Sequence, residues 1–344
     1  MSAARDPVAD LKRIAYLLEA MQEPAYRIRA FRGAAATLTE LGPDEVARLA
    51  ATGGLRGLSG IGEVTERTIL ESLRGEEPVY LRRLEALPEE QPLDEGAAAL
   101  CKALRGDLHA HTLASDGGAT IREMAETAIE IGRDYLVITD HSPRLTVANG
   151  LSTERLMAQL DEVAALNVEL APFRVLTGIE VDINEDGSLD QSPEVLDRLD
   201  VVVGSVHSEL RMPERPMTRR MVTALADPNL DVLGHCTGRM KAGRRNRPPS
   251  TFDAEIVFAA AARFDKAIEV NSRPERLDPP KRLLRLAVEA GCRVSIDSDA
   301  HTLGQLSWLR NGCERAFLCG ATPEMVVNAL AADDLLAWTA SHRA

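Results

Sequence analysis

The sequence has few aromatic residues, few cysteines and no excess of positive charge. Aromatic side chains make up 3% of the 344 residues, and the formal net charge is −13 at pH 7. Proteins that coat nucleic acids usually carry a basic surface, so this composition excludes that class and allows only local DNA contacts. The five cysteines are never spaced as C-x-x-C, which argues against a disulfide framework and a cysteine zinc site.

Long apolar runs are absent as well. The N-terminal segment MSAARDPVAD has no apolar signal core, and no run reaches the roughly 18 apolar residues that a membrane span needs. We therefore expect a soluble, cytoplasmic protein with no membrane partner. The length suits one large domain and one small one, while the oligomeric state stays open.

Hydrophobic periodicity changes twice along the chain. Residues 1–88 have apolar positions at helical spacing and predict a small all-helical domain. Residues 89–105, which are rich in proline and acids at their start, predict a linker. In residues 106–344, short β-branched runs alternate with amphipathic helical stretches, which is typical of parallel β-α units. Seven runs predict an α/β fold, a seven-stranded (β/α) barrel: DLHAHT, YLVITDH, RVLTGIEVDI, DVVVGSVHS, DVLGHCT, AIEVNS and RVSIDSDAH.

Histidines and acids follow the apolar part of nearly every run. Because the carboxyl ends of barrel strands converge on one face, we expect these side chains to form a single polar cup. A lone histidine after a strand more often satisfies backbone groups, but six of the seven histidines hold such positions. The candidate metal ligands are His109, His111, Asp116, His141, Glu180, His207, His235, Asp299 and His301.

Nine candidates exceed the four to six ligands of a single ion. We therefore expect two to three divalent ions, Mn²⁺, Zn²⁺ or Fe²⁺, with Glu180 as the best candidate for a bridging carboxylate. His109 and His111 are two residues apart, so both can face the cup from one strand. Clustered metals are a recurring device for displacement at phosphorus, which predicts phosphoester hydrolysis by metal-activated water.

Basic residues gather after His207 and His235, and they predict an anion collar around the cup. A solvated basic loop is the alternative. Because arginine can grip phosphate with two hydrogen bonds, we single out Arg239 as a catalytic residue that binds the substrate phosphate. The proton for the leaving group can come from a second metal-activated water, from Asp140 or from His207. The collar comprises Arg211, Arg215, Arg219, Arg220, Arg239, Lys241, Arg244, Arg245 and Arg247.

Several strings of this sequence resemble the PHP (polymerase and histidinol phosphatase) superfamily. They occur in order from residue 106 to about residue 332, namely DLHAHTLASDG, TDHSPRLTVANGL, GIEVDI, GSVHS, LGHCTGR, EVNSRPERLD and SIDSDAH. The resemblance implies a distorted seven-stranded (β/α) barrel that binds three divalent metals and hydrolyses phosphoesters, with all nine ligand positions filled. Asn271 and Arg273, in EVNSRPERLD, are further candidates for binding substrate.

Within this superfamily, the chain is most similar to the PHP domain of bacterial family X DNA polymerases. Residues 7 to about 84 resemble their small N-terminal domain with its helix-hairpin-helix. In that likeness, Gly60, Ile61 and Gly62 would offer backbone N–H groups to a DNA phosphate. DNA 3′ ends or abasic sites are thus expected partners. The alternative is a hairpin kept for packing or protein contacts.

Three departures from the polymerases qualify the likeness. The palm with its catalytic aspartates is missing, so polymerase activity is not expected. Thr68 stands at the position of the lyase lysine, and no lysine occurs in residues 13–101. Glu63 and Glu66 stand where the relatives tend to have basic residues, which weakens affinity for phosphate.

Three functions follow from these observations. The favoured one is a DNA-processing phosphodiesterase of the 3′-5′ exonuclease or AP-endonuclease type. The second is a phosphomonoesterase for a small metabolite, similar to histidinol phosphatases. The third is a DNA-binding scaffold with structural metals, but nine ligands exceed what a closed structural site uses.

Overall fold

A computed structural model describes residues 5–87, 92–241 and 246–343. The chain divides into two compact units, Met1–Pro92 and Leu93–Ala344. The first unit is all-helical, as predicted. Its helices are α1 (Pro7–Ala20), α2 (Ala25–Leu41), α3 (Pro43–Thr52), α4 (Glu63–Leu73) and α5 (Val79–Glu85).

The apolar face of α1 forms the centre of the first unit. Leu11, Ile14 and Leu18 recur at the three- and four-residue spacing of one helix face, and all three are fully buried. They belong to one core cluster with Phe31 of α2 and Ile69 of α4. The amphipathic spacing in the sequence thus produces a small helical core of its own.

The second unit alternates strands and helices. Its strands are β1 (Gly106–Asp107), β2 (Tyr135–Ile138), β3 (Arg174–Asp182), β4 (Val201–Ser205), β5 (Val232–Leu233), β6 (Ala267–Asn271) and β7 (Arg293–Asp297). Its helices are α6 (Glu95–Ala103), α7 (Ile121–Glu130), α8 (Thr153–Leu170), α9 (Pro193–Leu196), α10 (Glu214–Leu225), α11 (Ala254–Arg263), α12 (Lys281–Glu289), α13 (Leu309–Leu318) and α14 (Ala332–Ser341). The predicted seven β-α units are confirmed.

The seven strands form one sheet in chain order, and every neighbouring pair is parallel. Beyond the ends of β1 and β7, Ala110 and Ala300 form a parallel bridge. The backbone N–H of His111 donates to the carbonyl of Ala300 at 2.8 Å. This contact nearly closes the barrel and brings the residues after β1 beside those after β7.

Local sequence signals set the helix starts. Thr120 and Glu123 form a capping box at the start of α7, because each side chain accepts a hydrogen bond from the other residue's backbone N–H. Ser152 and Asp253 cap α8 and α11 in the same way with one bond each. These caps mark where each loop after a strand ends and its helix begins. They therefore set the length of the loops on the polar face.

The prediction of a linker over residues 89–105 is wrong for its second half. Residues 95–103 form α6, which begins after the capping side chain of Asp94 and packs against α13. The acids and prolines at the start of the segment suggested an exposed connector, but Ala97 and Leu100 are buried. Leu100 belongs to a core cluster with residues of the barrel. In the described part of the chain, no helix combines the length and apolar character needed to cross a membrane.

Candidate metal centre

The carboxylate of Glu180, at the carboxyl end of β3, lies at the centre of the polar face. Five histidine ring nitrogens lie within 3.6 Å of it: His109 Nε2 at 3.4 Å, His111 Nε2 at 3.6 Å, His141 Nδ1 at 2.8 Å, His207 Nε2 at 3.3 Å and His235 Nε2 at 2.9 Å. His109 and His111 both follow β1, and with Glu180 the group draws on the ends of five strands, β1 to β5. Parallel strands in chain order therefore collect ligands that are far apart in the sequence.

A second group of predicted ligands lies around Asp116 and Asp299. Asp116 Oδ1 is 3.6 Å from His141 Nε2 and 3.5 Å from His301 Nε2. Asp299 Oδ1 is 3.5 Å from His111 Nε2 and 3.6 Å from His301 Nδ1. With the Glu180 group, these contacts connect all nine predicted ligands in one network.

A glycine-dependent loop returns Asp116 to the site. A Cβ on Gly117 would lie 2.7 Å from the carbonyl oxygen of His111 and from the backbone nitrogen of Thr112. Only glycine permits this approach of the loop to the strand end. Asp116 is the most exposed ligand, with 35% of its side chain accessible, so it marks the open mouth of the site.

Three overlapping groups of ligand atoms could each hold a cation. Within each group the atoms lie within 4.8 Å of one another: His111, Asp116, His141 and His301; His109, His111 and Glu180; and His141, Glu180 and His207. His111, His141 and Glu180 are each shared by two groups. A site of this kind suits several neighbouring divalent ions with bridging ligands.

The hydrogen bonding of the candidate ligands indicates that they fit divalent metals. Buried ring nitrogens and one carboxylate oxygen make no hydrogen bond with the described residues: His109 Nε2, His111 Nδ1 and Nε2, His141 Nδ1, His207 Nδ1 and Nε2, His235 Nδ1 and Glu180 Oε2. A buried polar atom without a partner costs about 1–3 kcal/mol, so this many in one cup indicates ligands for cations.

The electrostatics of the cup favour positive charge. Burial alone would raise the pKa of Glu180, but His109, His207 and His141 hold it well below its ordinary value. Burial opposes protonation of His207, yet Glu180 and Asp182 raise its pKa to about 9. A cation can occupy the place of such a proton, because metal ligation requires the neutral imidazole and the ionised carboxylate.

Two carboxylates behind the histidines were missed in the sequence. Glu269 of β6 is fully buried, and its Oε1 lies 2.6 Å from His109 Nδ1. Its other oxygen accepts the backbone N–H of His235. Asp182 accepts the backbone N–H of His207 at 3.1 Å. For Glu269 the sequence did contain a signal, since it is an acid inside the apolar run AIEVN. A carboxylate buried in such a strand requires a partner.

Asp140 was predicted as a source of the leaving-group proton, and its surroundings argue against that role. Its Oδ1 accepts hydrogen bonds from the backbone N–H of Thr112 and the hydroxyl of Ser115, at 2.7 and 2.5 Å. Its Oδ2 accepts from the Thr112 hydroxyl and from Gln159 Nε2, each at 2.6 Å. Four donors occupy both oxygens, so Asp140 holds the loop that leads to Asp116.

Arg239 does not present its guanidinium as a phosphate grip. It is half-buried, its Nε donates to the carbonyl of Arg276 at 2.8 Å, and its Nη2 donates to the carbonyl of Leu277. Leu277 has a positive φ of 47°, so Arg239 supports a strained turn. These bonds indicate that Arg239 holds the turn that carries Arg276, rather than contacting substrate itself.

Arg276 is a functional candidate that the sequence interpretation missed. Its Nε lies 3.1 Å from Asp299 Oδ2. Both Nε and Nη1 are buried and make no hydrogen bond with the described residues. Nearby, Asn271 Nδ2 donates to Asp299 Oδ2 at 3.1 Å, and Arg273 Nη1 lies 3.0 Å from His301 Nδ1. The predicted substrate residues Asn271 and Arg273 thus adjoin the metal ligands.

The other predicted cations separate into different environments. Arg220 is fully buried and donates to the carbonyls of Ile183 and Ser208, so it holds the fold together. Arg215 and Arg219 are exposed on α10. Lys241 is exposed, and Arg244 and Arg245 lie outside the described residues. Arg211 and Arg247 line a cavity.

His342 and the hairpin of the first unit lie outside the cup. His342 Nδ1 lies 2.7 Å from Asp231, which precedes β5 at the opposite end of the barrel. In the hairpin, Ile61 N–H donates to the carbonyl of Leu58 and Gly62 N–H to the hydroxyl of Thr65. Two of the three N–H groups predicted for a DNA phosphate are therefore already used.

Comparisons with known proteins agree with this geometry. A family model described as PHP domain matches residues 107–273. "DNA polymerase/3'-5' exonuclease PolX" of Bacillus subtilis is 40% identical over 235 residues, which cover 68% of this chain and 41% of that protein. A "Probable phosphatase" of Acetivibrio thermocellus is 30% identical over 204 residues, which cover 57% of this chain and 78% of that protein.

Solved structures include a likeness in fold. A crystal structure of histidinol phosphate phosphatase from Lactococcus lactis, complexed with zinc, L-histidinol and phosphate, has a TM-score of 0.47 and 17% sequence identity. The matched region covers 63% of this chain and 94% of that one.

Proposed function

The chain belongs to the PHP domain family and is a phosphoester hydrolase, and from this premise we propose that it is a metal-dependent phosphodiesterase that acts on DNA. It would remove nucleotides from 3′ ends or cut beside abasic sites. The observation that carries the hydrolytic part is the group of five histidine nitrogens within 3.6 Å of the Glu180 carboxylate.

The metal ions would be held by the three ligand groups around Glu180 and Asp116. Divalent ions in such a ligand set lower the pKa of bound water and neutralise charge that develops on phosphoryl oxygens. Glu180 belongs to two of the groups, so it would be a ligand shared by the ions that these groups hold. Glu269 orients His109 through Nδ1, which leaves Nε2 directed at Glu180.

Arg276 would bind the phosphoryl group beside the ions. Its Nε pairs with the ligand Asp299 at 3.1 Å, and its buried Nη1 makes no hydrogen bond with the described residues. A guanidinium stays charged and offers several donors, so it can grip two phosphate oxygens. Arg239 donates to the backbone carbonyls of Arg276 and Leu277 and so holds the turn that carries this side chain.

Two observations support DNA as the substrate. The Bacillus subtilis relative is named for a 3'-5' exonuclease as well as a polymerase, and it is 40% identical over 68% of this chain. The chain also carries a compact helical unit next to the barrel in sequence, with the glycine hairpin that precedes α4. A small-molecule phosphatase has no evident use for such a unit.

A second candidate, hydrolysis of a small phosphomonoester, has its own support. The Acetivibrio thermocellus relative is named a probable phosphatase, and the match spans 78% of its length. The first turn of α4 also carries Glu63 and Glu66, which disfavour an approaching phosphate.

A substrate panel on one manganese-loaded sample tests the proposal. A 5′-labelled oligonucleotide should shorten from its 3′ end, and an abasic duplex should be cut at the lesion. Histidinol phosphate serves as the competing substrate. Release of phosphate from histidinol phosphate, with intact DNA in both other arms, would replace the DNA proposal with the phosphomonoesterase.

A further inference from the structure

A cavity of about 390 Å³ lies in the second unit, in the loops that follow β4 and β5. Its volume falls within the range of small-molecule sites. It is lined by Leu210, Arg211, Arg247, Pro248, Pro249 and Thr251. This lining combines two guanidinium groups with an apolar wall and one hydroxyl, and no carboxylate belongs to it among the described residues.

The cavity is built from the chain that directly follows two candidate ligands. Leu210 comes three residues after His207, and Gly238 comes three residues after His235. Leu210 and Gly238 touch, because a Cβ on Gly238 would lie 2.7 Å from Leu210 Cδ2. Gly238 in turn donates its N–H to the carbonyl of His235 at 2.7 Å. The cavity therefore lies in the loops that follow two of the strand ends that supply the metal centre.

The two arginines of the cavity differ in how firmly they are held. Arg247 is half-buried and its Nε donates to the carbonyl of Gly238 at 2.6 Å. Burial first, and then the Arg276 guanidinium, lower its pKa. The backbone of Arg247 pairs with Met240, which adjoins Arg239, and Arg239 Nε donates to the carbonyl of Arg276 at 2.8 Å. Arg211 is exposed, and it forms no ion pair with the described residues.

We propose that this cavity, named here the Arg211 pocket, binds a second phosphate group of the substrate together with the sugar or base attached to it. The backbone contacts from Arg247 through Met240 and Arg239 connect the pocket to the turn of Arg276, whose Nε pairs with Asp299 at the metal centre. Leu210, Pro248 and Pro249 offer an apolar surface for a ring, and Thr251 offers a hydroxyl. This inference rests on the proposed phosphoesterase function, but it does not require that the substrate be DNA.

Positive charge at this place has a consequence for substrate choice. In a chain with a net charge of −13, a cavity whose described lining has two arginines and no acid is a local exception. Guanidinium groups beyond the reacting phosphate favour substrates with two phosphates, because each charge-assisted hydrogen bond adds affinity. A nucleotide strand supplies the second phosphate from the neighbouring residue, and a small bisphosphate supplies it from the other end of the molecule.

Inhibition measurements test the pocket without requiring DNA cleavage. Hydrolysis of bis(p-nitrophenyl) phosphate, which has a single phosphate, reports on the metal centre. Adenosine 3′,5′-bisphosphate should inhibit it more strongly than adenosine 5′-monophosphate. Arg211→Ala should weaken inhibition by the bisphosphate about tenfold, as expected for loss of one charged hydrogen bond, and leave inhibition by the monophosphate within twofold. Arg211→Lys should restore part of the difference.

Arg219→Ala is the matched control, because it removes the same charge from an exposed site on α10 that does not line the pocket. With an oligonucleotide, Arg211→Ala should also reduce the slope of log KM against log salt by about 0.7, the value for one phosphate contact on a single strand. Equal inhibition by the bisphosphate and the monophosphate in the wild type, or an equal loss in both variants, overturns the pocket.

The same experiment separates this inference from the proposed function. If the wild type leaves DNA intact but Arg211→Ala weakens inhibition by the bisphosphate, the pocket is supported and the DNA substrate is contradicted. If the wild type cuts DNA, and Arg211→Ala has the same KM and salt dependence as the wild type, the proposed function is supported and the pocket is contradicted. Loss of bis(p-nitrophenyl) phosphate hydrolysis in Arg211→Ala would assign the residue to the metal centre instead and overturn the pocket.

Discussion

Glu269 Oε1 lies 2.6 Å from His109 Nδ1, in a part of the barrel where both side chains are fully buried. A histidine that ligates through one nitrogen usually donates the other to a carboxylate or carbonyl, which fixes the ring and raises its basicity. Glu269 therefore determines that His109 presents Nε2 to Glu180. It does so from β6, while His109 follows β1 and Glu180 ends β3.

Glu269→Gln is expected to weaken metal binding. The amide keeps the volume and can still accept the bond from His109, but its NH2 group cannot accept the backbone N–H of His235, and the negative charge behind the ring is lost. Loss of such a partner typically costs about 10–100-fold in metal affinity or activity. Titration of the metal-free protein with Mn²⁺ measures the change. Glu255→Gln, on the exposed face of α11, is the control, and equal affinities in the two variants would contradict the role.

The sequence predicted the barrel and gathered the nine candidate ligands because strand ends are local features. Each histidine follows a short apolar run that marks its own strand, and the parallel order then brings the ends together. Glu269 gave no comparable signal, since its partner lies 160 positions away in the chain. The contacts of Arg239 gave no local signal either, because the carbonyls that accept from it lie 37 and 38 positions away in the chain.

His109→Ala should lower the metal content, whereas His342→Ala should leave it unchanged. His109 faces Glu180 and belongs to one of the three ligand groups, so its loss should remove bound metal and abolish hydrolysis. His342 contacts Asp231 at the other end of the barrel, so its loss should lower stability by about 1–3 kcal/mol but leave the metal count unchanged. Elemental analysis and thermal unfolding measure both effects. A fully loaded, active wild type with fewer than two ions per chain would contradict the multinuclear centre.

Asp140→Asn separates a positioning residue from a proton donor. The amide cannot accept all four hydrogen bonds, so the loop to Asp116 should loosen and the free energy of unfolding should fall by about 1–3 kcal/mol. Activity should fall by a similar factor for every substrate. The measurement compares p-nitrophenyl and alkyl phosphodiesters, whose leaving groups differ in their need for a proton. A selective loss with the alkyl substrate would restore Asp140 as the acid.

Lys266→Met should stabilise the protein at about pH 7, and the gain should shrink in alkaline solution. Burial is the main reason that the pKa of Lys266 is lowered from 10.5 to about 8, although Asp231 opposes the shift. The unfolded chain binds more protons than the folded one between these two values, so wild-type stability rises with pH in that interval. Urea unfolding at about pH 7 and about pH 10 measures the difference. Exposed Lys102→Met should show no such dependence on pH.

Arg276 and Arg239 should respond differently to substitution, although they lie side by side. Arg276→Ala removes two donors that face the metal centre, so kcat/KM should fall by about 10²–10³-fold, the scale for loss of one charge-stabilising group. Arg239→Ala removes the bonds to the carbonyls of Arg276 and Leu277, so stability should fall, and activity should fall only as far as the turn loosens. Added guanidinium ion is the discriminating probe, because it can refill the space left by Arg276 at the phosphate but cannot rebuild the turn that Arg239 supports. Rescue of Arg239→Ala without rescue of Arg276→Ala would return the phosphate contact to Arg239.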